Sequence, residues 1–121
     1  MKKSMITGVF CLTMAFWSMS LNAQTDGAWT GEVVDMSCYI ASGAKGAGHA
    51  ECAKSCVKGG QPMGLLTDDG ALYLLAKDGG DDKPFEALKE LAGEKAEVKG
   101  TMTERDGVKM LVVKESEKAG P

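Results

Sequence analysis

Beyond residue 23, the cysteines and histidine of this sequence, all with the chemistry of soft-metal ligands, are Cys38, His49, Cys52 and Cys56. Three of them, including the chain's only histidine, fall within HAECAKSC, residues 49–56. At 100° per residue on a helix, His49, Cys52 and Cys56 lie within an arc of about 60°, and side chains three and four residues apart are neighbours. Ala50, Ala53 and Val57 continue that face, while Glu51, Lys54, Ser55 and Lys58 occupy the other. A short helix over HAECAKSCVK, stopped by Gly59 and Gly60, would lie on a core and present one nitrogen and two sulfurs along an edge. Cys38, expected at the end of the first strand, would close the set to three cysteines and one histidine. Such a set suits tetrahedral zinc in a structural role, and thiolates with one imidazole also suit copper(I). The spacing H-x2-C-x3-C is not one of the common zinc-finger spacings.

Two other readings of the same residues stay open. In one, a disulfide joins Cys38 to Cys52 or Cys56, pins the helix to the strand and stabilises the domain by about 2–4 kcal/mol. The chain is then a disulfide-stapled interaction domain that binds a protein or a glycan, with one thiol spare. In the other, Cys52 and Cys56 are redox-active, although a bridge between positions i and i+4 of a regular helix has poor side-chain geometry. A Cys–His dyad is available in composition, but no oxyanion element accompanies it. The expectation is a binding module and not an enzyme. Haem attachment is set aside because no C-x-x-C-H occurs. Met36 and Met63 flank the cluster in sequence as possible thioether ligands, against the commoner core-filling role of methionine. Asp35, three residues before Cys38, fits a loop cap or an orienting partner for His49.

The compartment bears on the state of these thiols. Lys2 and Lys3, an apolar run from Met5 to Trp17 and then SMSLNAQ have the three-part layout of a secretory signal peptide over residues 1–23. The run is shorter than the roughly 20 residues a bilayer span needs, so no membrane span is expected once it is removed. The expected location is the periplasm or the medium, and the expected partners are a metal ion and, in second place, another periplasmic protein. Removal of residues 1–23 takes away two lysines and Cys11, moving the formal charge from −3 to −5. An acidic domain argues against a nucleic-acid partner. Three cysteines remain, an odd number that cannot all pair within one chain in an oxidising compartment.

The elements that must position the cluster are mostly strands. AWTGEVVDMS (28–37) reads as the first, and PMGLLT (62–67) with ALYLLAK (71–77) reads as a hairpin turning at Asp69-Gly70. In PFEALKELAG (84–93), Phe85, Leu88, Leu91 and Ala92 recur at helical spacing. EKAEVKGTMTE (94–104) alternates, with Ala96, Val98, Gly100 and Met102 on one face, and VKMLVVKE (108–115) is the last strand. Residues 116–121, SEKAGP, are expected to be a flexible tail. Five strands, with one helix between the first and second and one between the third and fourth, predict a mainly-β, five-stranded OB-like Greek-key barrel over residues 24–115. Gly64 and Gly100 suit the bends such a barrel needs, and Trp29 suits packing at a barrel end.

GEVVDMSC (31–38), GHAECAKSC (48–56) and GGQPMGLLTDDGALYLL (59–75) together resemble a set of small exported bacterial proteins built on one OB-like domain, mostly without an assigned activity. The resemblance extends more loosely through LAGEKAEVKGTMTERDG (91–107) and covers essentially the whole region after residue 23. It implies the fold, and it implies that Cys38, His49, Cys52 and Cys56 form one site. It implies no particular reaction.

Overall fold

The computed structural model describes residues 24–120; the expected signal segment, 1–23, lies outside them. Five strands form a closed barrel: β1 (Thr25–Asp35), β2 (Met63–Thr67), β3 (Leu72–Lys77), β4 (Lys95–Arg105) and β5 (Val108–Lys118), in the order β1-β2-β3-β5-β4. Neighbours are antiparallel except β3 and β5, which run parallel. This is the OB-like barrel expected from the strand pattern. β1 belongs to two pairings: Thr25–Glu32 lies along β4, and Gly31–Asp35 lies along β2. A single long strand thereby turns the corner of the barrel. Opposite Lys99 and Gly100 of β4 the register shifts by one residue, leaving Lys114 of β5 unpaired as a bulge, and a Cβ at Gly100 would collide with the Val112 carbonyl, so only glycine permits the approach.

Three helices accompany the barrel: α1 (Met36–Ser42), α2 (Ala50–Lys58) and α3 (Lys83–Lys89). The core is one cluster to which the barrel contributes Val33, Met63, Leu65, Leu75, Ala96, Val98, Leu111 and Val113. α2 adds Ala53 and Val57, and α3 adds Leu88 with Ala92 just beyond it. Both inserts therefore bury their apolar faces in the same interior, each large side chain stabilising by about 1.5–3 kcal/mol. Trp29 packs against this cluster beside Tyr73, ring centres 6.1 Å apart and planes tilted by 53°.

The segment after α3 locks α2 in place. Gly93 donates its N–H to the Val33 carbonyl at 2.7 Å, and the Val33 N–H reaches Glu94 O at 3.0 Å. Gly93 has φ +84° and its missing Cβ would run into the backbone of Ala50, the first residue of α2. Lys58 at the far end of α2 pairs with Glu90 at 2.7 Å.

Several boundaries differ from the sequence reading: β1 begins at Thr25 and α3 ends at Lys89, and two further differences change what a segment is. β1 stops at Asp35, and residues 36–42, read in part as strand, form α1. β5 runs on through Lys118, with Ser116, Glu117 and Lys118 opposite Val98, Glu97 and Ala96. The Ser116 hydroxyl donates to Pro84 O at 2.6 Å, and the Ala119 N–H to Lys95 O at 3.0 Å. Residues 116–118, expected in a flexible tail, thus belong to the barrel wall, because backbone pairing with β4 does not require apolar side chains. No helix among the described residues is long and apolar enough to cross a membrane.

Candidate metal centre

The cluster forms where β1 hands the chain to α1. Asp35, the last residue of β1, is only 1% exposed. Its Oδ1 accepts the Ser37 N–H at 2.9 Å and so caps α1. The Met36 N–H donates to Pro62 O at 2.9 Å, which fixes the start of α1 beside the start of β2. Cys38 then falls in the first turn of α1 and is half-buried. α1 ends at Gly43, in the left-handed region with φ +71°. The following loop is tied back to the barrel by the Gly46 N–H, which donates to Glu32 Oε2 at 2.9 Å.

A short 3-10 turn, Ala47–His49, leads into α2, and His49 is the residue immediately before the helix. Ala53 and Val57 point into the core, which leaves Cys52 exposed and Cys56 half-buried beside them. The Sγ atoms of Cys38, Cys52 and Cys56 all lie within 4.8 Å of one another. All three are free thiols. Sulfurs around a tetrahedral zinc with Zn–S bonds near 2.3 Å stand roughly 3.8 Å apart, so small side-chain adjustments suffice to close on an ion.

A second set shares one member with the first. An Asp35 carboxylate oxygen, the Cys38 sulfur and a His49 ring nitrogen also lie within 4.8 Å of one another. The four residues expected from sequence are therefore brought to one place, but not as one mutual set: Cys38 is the link between the two sulfurs of α2 and His49. Strict helical spacing from residue 49 does not apply, because the helix proper begins at Ala50. Asp35 is the member that sequence reasoning placed outside the ligand set. The signal for it was an acidic residue three before Cys38, directly after the Val33-Val34 pair that enters the core.

The electrostatics follow from this crowding. The Asp35 carboxylate facing the Cys38 thiol, with partial desolvation and the nearby thiols, pushes the Cys38 pKa up to about 11. Cys56 is raised first by desolvation and then by Asp35 and Cys52. Two polar atoms in the cluster, Asp35 Oδ2 and His49 Nε2, are buried without a well-formed hydrogen bond. Such atoms are rare in folded proteins and each generally costs about 1–3 kcal/mol. The methionines take the packing role: Met63 is buried in the barrel core, and the Met36 side chain covers Gly64.

Fold and site together define a small OB-like barrel whose first inter-strand connection carries a cysteine, histidine and aspartate cluster able to hold a metal ion. Comparison with protein-family models, curated proteins and solved structures gives no match, so the functional reading rests on the geometry of the site.

Proposed function

We propose that the chain is an exported binding module, periplasmic or secreted, that holds a soft metal ion through Cys38, Cys52 and Cys56 with His49. The observation that supports this best is the convergence of three free thiols from two separate helices to within 4.8 Å. Zinc in a structural role and copper in handling both fit the donor set. The role is binding and not catalysis, since the one histidine is engaged with the cluster. Native mass spectrometry on protein exported into a periplasm tests the reading, because one spectrum gives both the metal mass and the number of free thiols. A bound zinc or copper with three reduced cysteines is the expected result.

A specific observation also favours a second reading. Cys38 lies within the same distance of two cysteines on another helix, so a disulfide to Cys52 or Cys56 would need only modest movement. A surface cleft lined in part by Tyr39, Lys45, Thr67 and Lys95 lies beside α1 and β2 and offers a polar surface for a protein or a glycan. In this reading the mass is metal-free and lower by about two hydrogens, with one thiol left. That result would replace the metal module with the stapled interaction domain.

A further inference from the structure

We propose that the cluster accommodates two cations: a soft ion on Cys38, Cys52 and Cys56, and a borderline divalent ion such as zinc on Asp35, Cys38 and His49, with the Cys38 sulfur bridging them. This rests on reading the cluster as a metal centre, and it adds a second site and a fifth donor, Asp35.

The donors fall into two sets of three, each within 4.8 Å, and Cys38 alone belongs to both. A thiolate sulfur has lone pairs enough to bond two metals at once. The sets also differ in character. Three sulfurs favour a soft ion such as copper(I), whereas oxygen, nitrogen and sulfur together suit zinc. The second set carries an independent mark of an absent partner. Asp35 is 1% exposed, its Oδ1 is occupied by the Ser37 N–H, and its Oδ2 has no hydrogen-bond partner. His49 Nε2 is buried and unpartnered as well. A cation between them would satisfy both atoms, where ordinary folded structure leaves few such atoms unpaired. Charge points the same way. One cation on three thiolates leaves a still-anionic centre facing the buried Asp35 carboxylate, and a second cation offsets that repulsion.

The test is anaerobic native mass spectrometry on the exported protein, titrated with zinc(II) alone and with copper(I) followed by zinc(II). The expected result is two ions per chain at saturation in both titrations. Asp35→Asn and His49→Gln should each bind one ion fewer and keep the ion on the sulfurs; asparagine retains the cap on α1, and circular dichroism checks that both variants are folded. Cys52→Ser should lose the sulfur-bound ion and keep the other. Saturation at one ion would overturn the two-ion proposal while leaving the single-metal reading intact. Two ions retained in both Asp35→Asn and His49→Gln would put the second ion elsewhere and also overturn it. No bound ion in any titration would overturn this proposal and the metal-binding reading together.

Discussion

The carboxylate of Asp35 and the thiol of Cys38 meet across the junction of β1 and α1, three residues apart in sequence and with ligand atoms within 4.8 Å. One side chain performs two tasks there. Oδ1 closes the first turn of the helix, and the carboxylate disfavours ionisation of the thiol that the same turn presents. The local chemistry of helix initiation and the chemistry of the cluster are therefore coupled through a single buried residue.

Replacing Asp35 by asparagine separates the two tasks. The cap survives, because asparagine is as good an N-cap as aspartate. The negative charge is lost, so the Cys38 pKa should fall from about 11 toward the ordinary thiol value. A lower pKa means more thiolate at pH 8–9, and Cys38 should be alkylated several-fold faster there by iodoacetamide, read peptide by peptide over a pH series on metal-free protein. An unchanged pH–rate profile would show that Asp35 does not raise the Cys38 pKa. Asp35→Ala should also lose the cap, at about 0.5–2 kcal/mol.

The insert helix is held by its buried face. Val57 is 0% exposed and lies in the central cluster with Leu88 and Met63. Val57→Ala should cost about 1–3 kcal/mol from lost burial and the residual cavity, a fall of several degrees in Tm for a domain of this size. Ile40, on α1 and 68% exposed, provides the comparison: Ile40→Ala should change stability by less than about 0.5 kcal/mol. Equal effects at the two positions would contradict the placement of α2 against the core.

Gly93 sets where α2 begins. Alanine at this position must adopt φ near +84° and must also displace the backbone of Ala50. Backbone strain alone costs about 1–3 kcal/mol, and the displacement moves His49, Cys52 and Cys56 relative to Cys38. Gly93→Ala should therefore lower Tm and weaken metal retention together. Gly48→Ala should do neither, since no atom lies within 4 Å of a Cβ placed there and its φ is not positive. Thermal melts with and without added zinc check both variants.

The parts of the molecule that were legible in the sequence are those in which one pattern dominates. Alternation through Ala96 and Val98 gave β4, Asp69-Gly70 gave the hairpin, and the spacing of Ala53 and Val57 gave the buried face of α2. α1 was hidden because MSCYIAS lies one residue beyond two buried valines and is itself largely apolar and strand-like; only the intervening cap, Asp35, marks the change. The end of β5 was hidden for the opposite reason, since its last residues are polar and are held by backbone pairing and by Ser116 to Pro84. Within the cluster, the cysteines of α2 and their approach to Cys38 could be read from spacing. The separation of His49 from a common four-ligand set could not, because it depends on a 3-10 turn ending where the helix starts.

Metal uptake should depend steeply on pH. A thiol must lose its proton to bind, and both Cys38 and Cys56 hold theirs more tightly than an ordinary cysteine. Below these raised values each coordinated thiol releases a proton on binding, so apparent affinity should rise by up to about tenfold per pH unit for each thiol engaged. Between pH 6 and 8 the zinc affinity of the exported protein should climb by well over a hundredfold if two or more thiols coordinate. Stability follows by mass action: at a free zinc concentration of 100 times Kd the folded state gains about 2.7 kcal/mol. At fixed free zinc the gain in Tm should therefore be small at pH 6 and large at pH 8, and a chelator should abolish it at both. A Tm that ignores zinc and chelator at pH 8 but falls on reduction would exclude the metal module and favour a disulfide at Cys38.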